Sequence, residues 1–181
     1  MLLLLGLLNE LASIVVILAR QFNAFNYNLY VLAEGLLILW QFYRWQAFRS
    51  RRFYHLLQAG LTGLWCWESF IYGSLFQFHS WYLIGYCSLT VLLGIGLLNR
   101  IVYMEPFGLY KNARYLICMG WMIFCLYSII VEVFWLHGLS RTAEFRIYVL
   151  SILPLVDLVS NLLFTLAVLC IPYSYRYIMQ C

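Results

Sequence analysis

Five of the seven acidic residues, Glu10, Glu34, Glu68, Glu132 and Asp157, fall inside long apolar stretches with no lysine or arginine beside them. An ionisable group in hydrocarbon is expensive, so each faces protein or a wet cavity and marks a candidate site for an ion, a proton or a ligand. On helices rising about 1.5 Å per residue, Glu10, Glu34, Glu68 and Asp157 lie within about 5 Å of the midplane, and Glu132 about 9 Å toward the outside. Carboxyls turned to a common axis would line an acidic cavity open to the outer face, and Glu10 and Asp157, at one depth, could share a proton. A protonated carboxyl can instead bond a backbone carbonyl or a neighbouring Asn, Ser or Tyr, and so hold helices together without moving an ion. Around Asp157 the residues Ser160, Asn161 and Thr165 follow an i, i+3, i+4, i+8 spacing that predicts one polar helix face. Pro154 removes a backbone donor beside that stripe, which adds Asn161 to the candidate ligand- or ion-binding residues.

Two further segments carry polar faces. Thr62, Trp65, Glu68, Ser69 and Tyr72 form one, with Gly60 and Gly63 expected to let a neighbouring helix approach; Gly6, Asn9, Glu10 and Ser13 form another. The remaining chemistries find no support. The only lysine, Lys111, lies between apolar segments, so no intramembrane Schiff base can form. His79 and His137 fall near outer helix ends, where interfacial hydrogen bonding is the expected role, and His55 sits among arginines. The six cysteines include no C-x-x-C, and Cys118 and Cys125, seven apart on one helix face, have no ligand-spaced partner. Hydrolase, phosphate-binding and dinucleotide motifs are absent, Gly94-Ile-Gly96 being a helix-packing feature. The sequence therefore predicts no enzyme, no cofactor and no metal.

The elements that position these residues follow from composition. Of 181 residues 65% are hydrophobic and 10% charged, with a mean hydropathy of +0.86. A soluble domain carries about 25% charge, so a soluble globular chain is excluded. Six apolar segments, at 1–19, 28–46, 54–76, 81–103, 115–137 and 147–172, predict an all-α polytopic transmembrane bundle with short loops, a single domain over 1–181. In alternate connections, one side receives eight Lys and Arg and the other three, which places the richer side and both termini in the cytoplasm. The densest basic group, Arg44, Arg49, Arg51 and Arg52, is flanked by Trp45, Phe48, Phe53 and Tyr54, a composition suited to lipid headgroups or a cytoplasmic partner and not to nucleic acid. The first segment lacks a basic leader and a small-residue cleavage site, so it reads as a retained helix. Gly6-Leu-Leu-Asn9-Glu10 faintly echoes Gly96-Leu-Leu-Asn99-Arg100, as a three-plus-three inverted repeat would.

The stretch Asn26-Tyr27-Asn28-Leu29-Tyr30-Val31-Leu32-Ala33-Glu34-Gly35, followed by Gln41-Phe42-Tyr43-Arg44-Trp45, and the ending Leu166-Ala167-Val168-Leu169-Cys170-Ile171-Pro172 before a basic aromatic tail resemble a poorly characterised group of small bacterial multi-helix membrane proteins. The resemblance covers most of the chain. It departs in lacking a helix ahead of the first segment and in Cys170, where a tryptophan is expected. It implies a layout like membrane sensor modules in a bacterial cytoplasmic membrane, carries no catalytic residue, and draws attention to Asn28, Glu34 and Trp45. The expected function is a non-enzymatic membrane module, a sensor or partner subunit with an outward polar cavity for a small ligand. The expected partners are lipid, a membrane or signalling protein, or a second copy of the chain. A channel or proton- or cation-coupled transporter using the acids, and a structural subunit of a larger complex, are the alternatives.

Overall fold

The computed structural model describes residues 11, 13, 24–48, 50–73, 75, 77–104, 108–136 and 143–178, with no side-chain description at 143–146, 150 and 171–178. Among these residues every regular element is helical. They are α1 (Ala24–Arg44), α2 (Arg51–Trp67), a π turn at Glu68–Tyr72, α3 (Ser80–Met104), a 3-10 turn at Leu109–Lys111, α4 (Ala113–Leu136) and α5 (Ala143–Ile178). Among the described residues three helices are long and apolar enough to cross a membrane: α3, α4 and the Ile147–Cys170 part of α5, of 25, 24 and 24 residues. Each spans about 36 Å or more, against about 30 Å of hydrocarbon. Of the other segments drawn from the sequence, 1–19 lies almost wholly outside the described residues. α2 ends after 17 residues, a reach of about 26 Å.

Local chemistry sets the helix ends. Ser50 stands in extended conformation and its hydroxyl accepts the Arg52 N–H at 3.3 Å, starting α2. Asn112 does the same for α4, its Oδ1 accepting from the N–H groups of Arg114 at 3.0 Å and Tyr115 at 3.3 Å. α1 closes in a Schellman turn: Ala47 N–H donates to the Phe42 carbonyl and Gln46 N–H to that of Tyr43, both at 3.0 Å, with Gln46 left-handed at φ 56°. The segment 54–76 is not one continuous α-helix. After Trp67 the backbone widens into the π turn, closed by Gly73 N–H on the Glu68 carbonyl at 2.9 Å, and the chain folds back before Ser80.

The fold comprises two compact units, Met1–Tyr86 and Cys87–Cys181, whose boundary falls inside α3. In the first, Gly35 of α1 faces α3, where an added Cβ would stand 2.6 Å from the Tyr82 hydroxyl. In the second, Gly120 of α4 faces α5, and a Cβ there would stand 2.6 Å from Phe164. Trp121 meets the same Phe164 ring edge-on at 6.4 Å, and Cys118 and Cys125 fill the buried side of α4 as small apolar groups. The close approach expected at Gly60 and Gly63 does not occur there, since both are exposed with open space around them. The packing glycines sit on other helices because close approach is decided by which face meets a neighbour, and the α2 glycines lie on its outer side.

Candidate functional site

The first unit contains a buried polar hub built on Asn28 of α1, which is 1% exposed. Its Nδ2 donates to the carbonyls of Leu75 at 3.0 Å and Gln77 at 2.7 Å, and its Oδ1 accepts the His79 N–H at 3.3 Å. Its backbone carbonyl accepts the indole N–H of Trp65, on α2, at 3.1 Å. One residue thereby ties α1, α2 and the turn before α3 together. Peptide groups in that turn have no helix or strand partner, and Asn28 supplies what regular structure would otherwise provide.

Glu68 completes the turn from the other side. The His79 carbonyl accepts the Leu83 N–H at 3.1 Å, which makes His79 the N-cap residue of α3. Imidazole does not cap; instead the Glu68 carboxyl, at the head of the π turn, accepts Trp81 N–H at 3.1 Å on Oε1 and Tyr82 N–H at 2.7 Å on Oε2. These are the second and third helical N–H groups, the ones a capping Ser or Asp normally takes, and the acid also faces the positive end of the helix dipole. The π turn contributes by rotation. Its extra residue carries Tyr72 off the face shared by Trp65, Glu68 and Ser69, so Tyr72 is exposed and stacks on Trp67 at 5.2 Å, in place of joining the polar stripe.

Glu34 is half-buried one to two turns further along α1 and accepts two phenol hydroxyls, Tyr30 at 3.3 Å and Tyr86 of α3 at 3.2 Å. Glu34 and Glu68 share no partner: each holds α3 through its own bonds. His79 is 4% exposed and packs edge-on against Trp65 at 5.7 Å, and Ser69 is 3% exposed. Both ring nitrogens of His79 and the hydroxyl of Ser69 have no hydrogen-bond partner among the described residues. The interfacial hydrogen bonding expected of His79 is replaced by burial against an aromatic ring. His137 lies outside the described residues, as do Glu10 and Arg49.

In the second unit the expected single polar face of α5 divides. Ser160 turns inward and donates to the Gly120 carbonyl at 3.2 Å, Asp157 is half-buried, and Asn161 and Thr165 are exposed, Thr165 donating to the Asn161 carbonyl of its own helix at 2.8 Å. The four positions span about 140° of helix circumference, too wide for one contact. α5 remains helical through Pro154. Near the carbonyl this proline leaves unpaired, the Tyr127 hydroxyl donates to the Val149 carbonyl. Glu132 is half-buried on α4.

Of the basic group, Arg44, Arg51 and Arg52 are exposed. The Arg44 guanidinium lies 5.9 Å from the centre of the Trp40 ring, and beneath the turn Tyr43 stacks on Tyr54 at 4.6 Å. Among the described residues no group of three or more His, Cys, Asp and Glu is placed to hold a metal ion. In sequence Asn28 stood out only through the resemblance, Ser69 only as part of a polar helix face and His79 only as an interfacial hydrogen bonder; that the three meet in one hub comes from the fold. Among the described residues the arrangement is all-helical, with three helices long and apolar enough to cross a membrane and a buried polar hub in one unit. No protein-family model, no curated protein and no solved structure matches the chain.

Proposed function

We propose that this chain is a non-enzymatic integral membrane module of a bacterial cytoplasmic membrane, a sensor or partner subunit that binds a small hydrogen-bonding ligand at the Asn28 hub. In this reading six helices cross the bilayer with both termini cytoplasmic, and Arg44, Arg49, Arg51 and Arg52 meet lipid headgroups or a signalling partner. The observation that carries it is the division of labour inside the hub. Asn28 and Glu68 are engaged in positioning the turn and α3, while the His79 imidazole and the Ser69 hydroxyl are buried with donor and acceptor capacity unmatched among the described residues. An unpaired buried polar group is costly, and a ligand that supplies the missing bonds stabilises the hub as it binds. The separate bonds of Glu34 and Glu68 support a positioning role over a shared ion path. Native mass spectrometry of the chain extracted from its own membranes tests the reading: wild type retains a small molecule that His79→Phe and Ser69→Ala lose. Retention of nothing by wild type, or equal retention by both variants, rejects it.

A further inference from the structure

The α5 span presents a second, outward seam. Pro154, Leu158, Asn161, Thr165 and Val168 recur at spacings of 4, 3, 4 and 3 residues and all five are exposed. Ser160 and Ala167, which are buried, lie about 130° away round the helix. A four-three repeat is the register of a helix that packs along a parallel or antiparallel partner. An apolar seam alone would suit lipid, but Asn161 lies in its middle with a side-chain amide that has no partner among the described residues, and Asp157 stands one turn away at the seam's edge. Acyl chains offer neither donor nor acceptor, so what covers Asn161 must supply both at the same depth.

We infer that this seam packs against the same seam of a second copy of the chain, α5 beside α5, with Asn161 paired to Asn161 across a two-fold axis along the membrane normal. Insertion gives every copy the same orientation, so symmetry brings identical residues to identical depth. The asparagine amide is its own complement, since each donates an N–H and accepts on its carbonyl oxygen. Asp157, one turn off, meets its counterpart or the partner's amide in the same contact. A single asparagine in a four-three seam also fixes register and number of helices, because any shift leaves it facing leucine or lipid. The inference rests on α5 crossing the bilayer, and the experiment separates the two.

A photo-activated benzophenone side chain placed singly at 158, 165, 159 or 166 in the full chain, irradiated in native membranes, reports what each side of α5 touches. Positions 158 and 165 give a covalent dimer of this chain and positions 159 and 166 give adducts to acyl chains. Asn161→Leu, at an exposed position that leaves the fold intact, lowers the dimer yield about three- to tenfold, the effect of losing a hydrogen bond between helices in lipid. Adducts from 158 and 165 to residues 1–86 of the same chain, to another protein or to lipid alone overturn the proposal, as does a dimer from 159 and 166 or one indifferent to Asn161→Leu. Absence of lipid adducts at all four positions overturns the spanning reading of α5 and the dimer with it.

Discussion

Replacing Asn28 tests the hub most directly, because each of its three side-chain bonds has a defined polarity. Two are donations to carbonyls and one is an acceptance from a backbone N–H. Asn28→Leu, close in size, removes all three and leaves the Leu75 and Gln77 carbonyls and the His79 N–H unmatched. At about 0.6 kcal/mol per bond, the average between membrane helices, the loss is about 2 kcal/mol. At about 1 kcal/mol per bond plus the penalty for groups left buried and unpaired, it reaches about 4 kcal/mol. Asn28→Asp discriminates further. It retains the acceptor for the His79 N–H and, in its protonated form, donates to one of the two carbonyls, so it leaves a single carbonyl unmatched and costs less than leucine. Thr62→Val is the control: its hydroxyl bonds only the Gln58 carbonyl of its own helix, at 2.9 Å, and its loss costs under about 0.5 kcal/mol. Equilibrium unfolding in mixed micelles, followed by circular dichroism, measures all three. Aspartate costing as much as leucine, or leucine costing no more than the Thr62 control, refutes the hub.

Glu68→Gln retains one acceptor oxygen but sets an NH2 group against a helical N–H; it destabilises the start of α3 by about 1–2 kcal/mol, the worth of a cap, and amide hydrogen exchange at Trp81 and Tyr82 rises while exchange in α4 stays unchanged. Gly35→Ala drives a methyl to 2.6 Å from the Tyr82 hydroxyl and costs about 1–3 kcal/mol by overpacking, whereas Gly60→Ala, exposed with open space around it, stabilises α2 by up to about 1 kcal/mol; equal effects at the two glycines in the same unfolding assay would refute the packing assignment.

The helical class and three helices long and apolar enough to span were legible because hydrocarbon admits few backbone solutions and long apolar runs announce them. The hub was not legible, for reasons that can be named. Glu68 was recognisable as an acid within an apolar segment, but its role depends on α3 beginning twelve residues later, a distance that the π turn and the folded-back chain set and that period counting along one helix does not capture. Tyr72 misled for the same cause, since a 3.6-residue period places it beside Trp65 and the wider turn swings it away. Gly60 and Gly63 look like Gly35 in sequence; only the face each presents separates them. The α5 stripe was correctly seen as polar and wrongly taken as one surface, because a spacing of i, i+3, i+4, i+8 drifts far enough round a helix to serve two different neighbours.

In a membrane every polar side chain must be matched by something, which makes the matched and unmatched sets informative in different ways. Asn28, Glu34, Glu68 and Ser160 have hydrogen-bond partners within their own unit, so substituting them loosens the fold and alters function only through stability. His79, Ser69 and Asn161 have side-chain groups without partners among the described residues. The fold owes them little, and the free energy released when something outside the chain satisfies them appears in binding. His79→Phe and Asn161→Leu should therefore leave unfolding midpoints unchanged or raised, since each exchanges an unmatched polar group for an apolar one, while abolishing ligand retention in the first case and lowering chain pairing about three- to tenfold in the second. A marked loss of stability in either variant would show that the residue already has its partner inside the chain, and would move it to the first set.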